Sequence, residues 1–245
     1  MKTPDKISYS IDGRIYLVPT PIGNLGDITQ RAKDMLATVD IVACEDTRVT
    51  GRLLKKLDIK KRMISYHDFN ERSRATRLIA EVRNGKTIAV VSDAGSPGIS
   101  DPAYRIVRLA VDEGLTVEAL PGPNAIIPAL TASGLPTDRF FFEGFLPHKS
   151  TGRRKRLTEL ERFPHTLVFY ESPHRIHKCL TDMNEVLGDR EACLAREISK
   201  RYETYLRGSI SRILETIKNK TVKGELVLVI SGAAYRKKME RNLEA

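Results

Sequence analysis

The fold is decided by the stretch from Thr87 to Ala110, which reads TIAVVSDAGSPGISDPAYRIVRLA. Its first residues are mostly β-branched and apolar and predict a buried strand over Thr87–Asp93. Apolar residues then recur at helical spacing, at Ala103, Ile106, Val107 and Ala110. Asp101 followed by Pro102 predicts the N-cap and the first residue of this helix. The stretch is therefore interpreted as a strand, a long turn and a helix.

The same alternation of strand and helix runs through the first half of the chain. Short apolar runs predict four further strands, at Arg14–Pro19, Asp40–Glu45, Met63–His67 and Thr116–Leu120. A second helical pattern between the third and fourth strands is formed by Ala75, Leu78, Ile79 and Val82. Strands that alternate with helices predict βαβ units and a mostly parallel sheet.

A domain boundary is predicted at Pro121-Gly122-Pro123-Asn124, because prolines and glycine end the preceding strand and Asn124 can cap a new helix. Less helix separates the later predicted strands, which indicates a mixed sheet; they are Phe140–Phe145, Thr166–Glu171, Ala192–Ile198, Tyr202–Arg207 and Glu225–Ile230. We therefore predict an α/β protein with domains at residues 13–121 and 124–235, a linker at 122–123, and tails at 1–12 and 236–245.

The composition favours a polyanionic partner. The 245 residues include 41 Lys and Arg against 31 Asp and Glu, a formal net charge of +10. A dispersed, solvated surface explains this excess equally well. Cys44, Cys179 and Cys193 are widely spaced and predict neither a disulfide framework nor a zinc site. The start of the chain is polar, and no stretch approaches the ~18 apolar residues of a membrane span, so we expect a cytoplasmic protein without a membrane segment.

Two turns rich in small residues follow predicted strands, where ligands of parallel sheets gather. Small residues in Ser92–Pro102 expose backbone amides and carbonyls to a flat ligand, and Asp93 can accept from an amine or a ribose hydroxyl. The turn Pro19–Gly26 contains two glycines and two prolines. Neither turn is a G-x-G-x-x-G or Walker motif, which argues against a dinucleotide or nucleoside triphosphate bound in the usual way. An ordinary turn remains the alternative for both.

The second predicted strand ends in Glu45-Asp46-Thr47-Arg48, which places two carboxylates and a guanidinium at a strand end. Charges there cost desolvation energy unless they pair or serve a ligand. The alternative is a helix N-cap formed by Asp46 and Thr47, with Arg48 solvated. His67 is interpreted as structural or substrate-positioning, and no His, Cys and carboxylate grouping has the spacing of a metal site.

The stretch Lys149–Arg156 packs five cations into eight residues, which matches a phosphate backbone. The alternative is a solvated first helical turn, although cations are unfavourable at the positive end of the helix dipole. Aromatic residues make up only 6% of the chain and Trp is absent, so base stacking is not indicated. A structured RNA held by its backbone fits better.

Eight stretches together resemble one known family, in order, over about residues 13 to 232. They are PTPIGNL at 19–25 followed by DIT at 27–29, EDTR at 45–48, SDAGSP at 92–97, LPGP at 120–123, EGFLP at 143–147, FYESPHR at 169–175, ARE at 195–197 and KGE at 223–225. The family is that of ribosomal RNA small subunit methyltransferase I. It belongs to the tetrapyrrole methylase superfamily, also called class III methyltransferases.

The resemblance implies two α/β domains of the tetrapyrrole methylase type with a cofactor cleft between them. It also implies S-adenosylmethionine as methyl donor, a homodimer, and 2′-O-methylation of a cytidine in the decoding centre of 16S rRNA, presented on the 30S subunit. No metal is implied. The residues that it implies for the donor are Pro21, Asp93, Gly95, Ser96, Gly98, Asn124, Ala125, Phe169 and Ala195.

The chemistry requires a hydroxyl held in line with the departing sulfur and a base that removes its proton. Asp46 and Glu45 are the first candidates for the base, and Arg48 for anchoring the adjacent phosphate. The candidate RNA-binding residues are Arg48, Lys149, Arg153, Arg154, Lys155 and Arg156.

Two other functions remain open on sequence alone, because a fold does not fix a function. An enzyme of this superfamily can act on a corrin, a porphyrin or a diphthine precursor, and the cations of Lys149–Arg156 argue against such a small substrate. A ribosome-associated RNA-binding protein without activity is the other alternative. The small residues of Ser92–Pro102 argue against it, since they predict a bound ligand.

Overall fold

The computed structural model describes residues 13–235, which form two compact units. Residues 13–21 and 25–123 make up the N-terminal unit, and residues 22–24 and 124–235 make up the C-terminal unit. The sequence did not indicate that Ile22–Asn24 would lie with the second unit. Within the described range, none of the helices has the length and apolar character needed to cross a membrane.

The N-terminal unit contains a parallel five-stranded sheet, as predicted. Its strands are β1 (Arg14–Leu17), β2 (Ile41–Cys44), β3 (Arg62–Ser65), β4 (Thr87–Val91) and β5 (Thr116–Ala119). They lie in the order β3-β2-β4-β1-β5, and every neighbouring pair is parallel. The strands end one or two residues earlier than predicted, so the polar residues that follow each strand belong to the loops.

Four helices cover the two faces of this sheet. They are α1 (Gln30–Thr38), α2 (Thr47–Lys56), α3 (Glu71–Arg83) and α4 (Tyr104–Asp112). Successive side chains of a strand point to opposite faces. Ile88 and Val90 of β4 therefore pack with α3 and α4, whereas Ala89 and Val91 pack with α1 and α2. Both faces are apolar, as expected for a parallel sheet covered on both sides.

The start of α4 differs from the prediction for Asp101. The helix begins at Tyr104, and its N-cap Ala103 provides no side-chain hydrogen bond. Asp101 instead accepts a hydrogen bond at 2.5 Å from the backbone N–H of Gly98, which has a positive φ of 88°. The carboxylate thus closes the loop before the helix. The predicted N-cap was wrong because a local turn competes for the same short side chain.

The C-terminal unit contains a mixed five-stranded sheet, which confirms the second part of the fold prediction. Its strands are β6 (Phe140–Phe145), β7 (Thr166–Glu171), β8 (Glu191–Arg196), β9 (Thr204–Ser209) and β10 (Leu226–Ile230). They lie in the order β6-β7-β10-β8-β9. Only β6 and β7 pair in parallel, and the other pairs are antiparallel.

Helices cover both faces of the second sheet. They are α5 (Ile126–Thr131), α6 (Ser150–Leu160), α7 (Ile176–Leu187) and α8 (Ile210–Ile217). Residues of α6, α7 and α8 pack on one face, and α5 packs on the other together with Ile22. The Asn124 carboxamide oxygen accepts from Ile127 N at 2.9 Å, so Asn124 satisfies an amide in the first turn of α5.

A buried ion pair joins α6 to α7. The Arg153 guanidinium donates to Asp182 at 2.7 Å, and the side chain of Arg153 is only 3% exposed. The Ser150 hydroxyl donates to the same carboxylate at 2.9 Å. Both charges are therefore compensated, which is the condition for keeping them away from water.

Removal of one member of this pair should destabilise the C-terminal unit. Arg153→Ala leaves the buried Asp182 carboxylate with only the more exposed Arg154, 3.3 Å away, as a cationic partner, and we expect the free energy of unfolding to fall by about 3 kcal/mol. Urea denaturation followed by circular dichroism measures this change. Lys155→Ala is the control, because it removes the same charge from an exposed position of the same helix. Equal midpoints for the two variants would contradict the structural role of Arg153.

Candidate active site

The strand order creates a crevice between β1 and β4. From β1 the chain passes through α1 to β2, on the far side of β4, and from β4 it passes through α4 to β5, on the far side of β1. The two connections therefore leave in opposite directions. In open α/β sheets, ligands bind beyond the carboxyl ends of the strands at such a switch point. Both loops of small residues predicted from the sequence border this crevice.

Hydrogen bonds between the backbones hold these two loops together. Thr20 N donates to Gly95 O and Gly95 N donates to Thr20 O, both at 2.9 Å. The buried Thr20 hydroxyl donates to Ser92 O at 3.0 Å. Gly95 has a φ of +88°, a conformation that favours glycine. The loops are thus fixed before any ligand arrives.

The loop after β5 joins the same arrangement. The Ser96 hydroxyl donates to Pro123 O at 3.3 Å. A Cβ atom placed on Gly122 would lie 2.7 Å from Cβ of Pro19, so only glycine permits this approach. Three loops at the carboxyl edge therefore present backbone groups with few bulky side chains between them. Such a surface can hold a flat, hydrogen-bonding ligand such as a nucleoside.

Asp46 is the N-cap of α2. The geometry of this residue is therefore that of the helix cap, which the sequence analysis gave as the alternative to a ligand-binding role. Its carboxylate accepts from the backbone N–H of Arg48 at 2.7 Å and from the Arg48 guanidinium at 2.7 Å. These hydrogen bonds lower the pKa of Asp46 to about 2. The side chain of Arg48 is 84% exposed. A carboxylate with such a low pKa is a weak general base.

Glu45 and Asp93 have the opposite electrostatic environment. Burial raises the pKa of Glu45, and the negative charge of Asp93 raises it further. Burial likewise raises the pKa of Asp93, whose carboxylate accepts from Asp46 N at 3.1 Å. Burial also raises the pKa of Asp101. The structure thus places carboxylates with raised pKa values at the ends of β2 and β4, and Asp46 is not among them.

His67 lies in the loop after β3, with its ring centroid 6.1 Å from that of Phe69; the sequence analysis missed this aromatic residue and Tyr104. Nε2 of His67 lies 3.0 Å from the Asn70 amide nitrogen. Phe69 is fully exposed at 100%, and Tyr104 is 77% exposed. An ion pair of 2.8 Å between Glu71 and Arg105 joins the first turns of α3 and α4, beside these rings. Their only sequence signal is an isolated aromatic residue at a predicted strand or helix end.

Most cations of the predicted RNA-binding stretch are neutralised by neighbouring carboxylates. Arg154 pairs with Glu185, and Arg156 contacts Glu143 at 2.6 Å. Arg153 is buried against Asp182, so its burial contradicts the predicted contact with RNA. Only Lys149 and Lys155 of this stretch are exposed without an ion pair among the described residues. In the same part of the chain, no group of three or more His, Cys, Asp or Glu residues could hold a metal ion.

The donor-binding residues predicted on the second sheet lie on opposite faces. Phe169 is fully buried: its side chain lies in the core beneath α6, α7 and α8, and its strand is paired on both sides. Ala195 lies on the face that α5 covers, together with Tyr170. Val227 pairs with both Tyr170 and Ala195, so the three form one row across the sheet. The register therefore selects Tyr170, not Phe169, as the side chain beside Ala195.

Three motif segments meet elsewhere in the C-terminal unit. The Lys200 ammonium pairs with Glu197 at 2.8 Å and with Glu225 at 3.2 Å. A Cβ atom on Gly23 would lie 2.3 Å from Cγ of Lys200, and a Cβ atom on Gly224 would lie 2.3 Å from Cδ of Glu197. Glycine is therefore required at both positions. Sequence reasoning listed these motifs but found no reason for their joint occurrence.

The comparisons with known proteins agree with this architecture. The family model of Tetrapyrrole (Corrin/Porphyrin) Methylases matches residues 14–214. A protein of Escherichia coli O157:H7 named ribosomal RNA small subunit methyltransferase I is 49% identical over 95% of this chain and 82% of its own length. A protein of the same name from Vibrio cholerae serotype O1 is 50% identical over 94% of this chain and 80% of its own length.

A solved structure shares the fold at low identity. Uroporphyrin-III C-methyltransferase from Thermus thermophilus, complexed with S-adenosylhomocysteine, has a TM-score of 0.62 and 23% identity over 91% of this chain and 99% of its own. The two α/β units thus have the architecture of a class III methyltransferase. The chain belongs to the tetrapyrrole methylase family and, within it, to the ribosomal RNA small subunit methyltransferase I family. The family and fold that the motifs predicted are confirmed.

The repulsion between Glu45 and Asp93 can be tested directly. Asp93→Asn removes the negative charge that raises the pKa of Glu45, so the titration midpoint of Glu45 should move to lower pH. NMR titration of the carboxyl carbons measures the midpoint. Asp34→Asn removes one charge from the exposed part of α1 and should leave the midpoint of Glu45 unchanged. A midpoint that stays in place in both variants would refute this coupling.

Proposed function

We propose that the chain is an S-adenosylmethionine-dependent enzyme that methylates the 2′-hydroxyl of a cytidine in the decoding centre of 16S rRNA. The observation that carries this proposal is the 49–50% identity with proteins named ribosomal RNA small subunit methyltransferase I, over almost the whole chain. The preformed crevice between β1 and β4 supports it. The choice of the 2′-oxygen and of cytidine follows from the family resemblance of the motifs.

The loops at the carboxyl edge of the first sheet would hold the donor. Pro21, Asp93, Gly95, Ser96 and Gly98 lie in the two loops that border the crevice. The backbone bonds between Thr20 and Gly95 hold these loops, and Asp93 offers a carboxylate to an amine or a ribose hydroxyl. S-adenosylmethionine supplies an electrophilic methyl group on a sulfonium. The relative solved with S-adenosylhomocysteine carries the demethylated form of this donor.

In the C-terminal unit, the set of proposed donor contacts on the second sheet and near α5 differs from the set that the sequence predicted. Ala195 remains a candidate, and Tyr170 replaces the fully buried Phe169 because it lies in the same row as Ala195. Asn124, whose carboxamide oxygen accepts from Ile127 N in the first turn of α5, and Ala125 stay in the proposed set of donor contacts.

Glu45 is the general base that the electrostatics favour. Its raised pKa makes it a stronger proton acceptor than Asp46, whose pKa of about 2 reflects its role as an N-cap. Proton removal from the attacking hydroxyl is most efficient when the pKa of the base lies near the working pH. Arg48, exposed beside this edge, would anchor a substrate phosphate.

Exposed groups around the loops fit an RNA substrate. Phe69 and Tyr104 are aromatic rings open to solvent, and such rings stack on unpaired bases. Lys149 and Lys155 are exposed cations without a carboxylate partner among the described residues, and they suit a phosphate backbone. These features distinguish the proposed substrate from a corrin or a porphyrin. The homodimer that the resemblance implies is part of the same proposal.

Labelled methyl transfer tests the proposed function. The protein is incubated with methyl-labelled S-adenosylmethionine and either naked 16S rRNA or 30S subunits that lack the modification. We expect label at one cytidine, in a dinucleotide that resists alkaline hydrolysis, because a 2′-O-methyl group blocks cleavage of the adjacent phosphodiester. Greater transfer to 30S subunits would identify the assembled particle as substrate. Label on a base, or transfer to a porphyrin but not to rRNA, would refute the proposal.

The assignment of the base has its own test. Glu45→Gln should lower the single-turnover rate by about 10²–10⁴-fold, since amides do not accept the proton. Asp46→Asn should stay within about tenfold of the parent, because asparagine is also a good N-cap. In the parent, activity should fall as the pH drops through the raised pKa of Glu45, above the ordinary glutamate value of about 4.3. The opposite ranking of the two variants would identify Asp46 as the base.

A further inference from the structure

A cationic cavity in the C-terminal unit is not used by the proposed catalytic residues. It has a volume of about 450 Å³ and opens between the residues that precede and begin α7 and the segment that joins α8 to β10. Its ionisable lining residues are His174, His177, Lys220 and Lys223, and no carboxylate lines it. A cavity with cations and imidazoles but no acidic group is suited to an anion.

The charges of this cavity are available for a ligand. Among the described residues, neither Lys220 nor Lys223 forms an ion pair with a carboxylate. This separates them from Arg154 and Arg156 on α6, whose guanidinium groups are already paired. Unpaired cations release their counterions when a phosphate backbone binds, which is the main source of affinity for nucleic acids.

A second cavity extends the positive surface on the other side of the same segment. It has a volume of about 290 Å³ and shares Lys220 and Lys223 with the first, adding Arg196. The Arg196 guanidinium donates to neutral oxygens, namely Thr204 Oγ1 at 3.1 Å and the backbone oxygens of Lys223 and Tyr202 at 3.3 and 3.1 Å. The segment 220–223 is therefore a cationic ridge between two hollows.

The ridge lies at a defined edge of the second sheet. Leu226 at the start of β10 pairs with Glu171 at the end of β7 and with Arg196 at the end of β8. The same edge continues into Glu197, whose carboxylate holds Lys200 against Gly23. Gly23 belongs to the C-terminal unit together with Ile22 and Asn24. The ridge and this short segment thus share one network of contacts within that unit.

We propose that the cavity lined by His174, His177, Lys220 and Lys223 binds the phosphodiester backbone of the rRNA substrate. This inference rests on the proposed function, because RNA is the polyanion that the reaction brings to the protein. The predicted stretch at 149–156 retains two unpaired cations, so it does not supply the phosphate contacts alone. The cavity adds two lysines and two imidazoles, which donate hydrogen bonds to phosphate oxygens.

The dependence of RNA affinity on salt concentration reports how many phosphate groups the protein neutralises, so it can detect the loss of a single contact. Binding of the full-length protein to 30S subunits is followed over a series of KCl concentrations, for Lys220→Ala and for Lys223→Ala. Each variant should lower the slope of log K against log salt concentration by about 0.7–0.9. The affinity should fall several-fold, whereas the rate at saturating RNA and the binding of S-adenosylmethionine should stay at parental values.

Lys218→Ala is the matched control. Lys218 lies two residues before Lys220, and its ammonium is 3.5 Å from Glu215, so its loss changes the net charge equally without removing a free cation. The control should keep the parental slope. Lys220→Gln and Lys223→Gln retain most of the side-chain stem and report on charge alone if an alanine variant unfolds. His177→Gln should weaken binding without a change in folded content.

The outcomes separate the two proposals. Slopes equal to that of Lys218→Ala would overturn the phosphate site, even if the parent methylates rRNA normally. A lower rate at saturating RNA with an unchanged slope would also overturn it, since the lysines would then act in catalysis. A parent protein that transfers no methyl group to rRNA would refute the proposed function instead.

Discussion

The candidate site depends on the two backbone hydrogen bonds between Thr20 and Gly95. They connect loops that leave adjacent parallel strands in opposite directions, and the Thr20 hydroxyl adds a third hydrogen bond, to Ser92 O. Backbone groups that are ordered in this way cost little entropy when a ligand binds. The small residues of both loops are necessary for the same reason, because larger side chains would separate the two backbones.

Three carboxylates lie at the same sheet edge as these loops. Glu45, Asp93 and Asp101 follow strands or loops at the same edge, and burial raises the pKa of each. A negative potential of this kind favours a cationic ligand such as a sulfonium and disfavours a phosphate. The proposed reaction requires the protein to bind a cation and a polyanion, since the donor is a sulfonium and the acceptor is RNA. Apart from Arg48, the cations proposed for the acceptor lie in other parts of the chain, and the ridge at 220–223 would supply two of them.

The sequence predicted the local elements well because each depends on a short hydrophobic pattern. Each of the ten described strands begins and ends within two residues of its predicted bounds, and the glycine-rich loops lie at the expected sheet edge. The sequence did not predict contacts that depend on a partner distant in the chain. The burial of Arg153 requires Asp182 on the next helix, and the choice between Phe169 and Tyr170 depends on which face of the sheet α5 covers.

The same limit applies to the run of cations at 149–156, whose ion pairs the sequence did not reveal. Five cations in eight residues give a strong signal, yet the attraction for a polyanion comes from the charge that remains after ion pairing. In α6 the neighbouring helix and strand supply carboxylates to three arginines. Lys220 lies outside the quoted motifs and Lys223 entered the sequence analysis only as part of the KGE motif at 223–225, but nothing acidic lines their cavity. The proposed phosphate site therefore rests on the absence of partner carboxylates around Lys220 and Lys223, and not on a local density of positive residues.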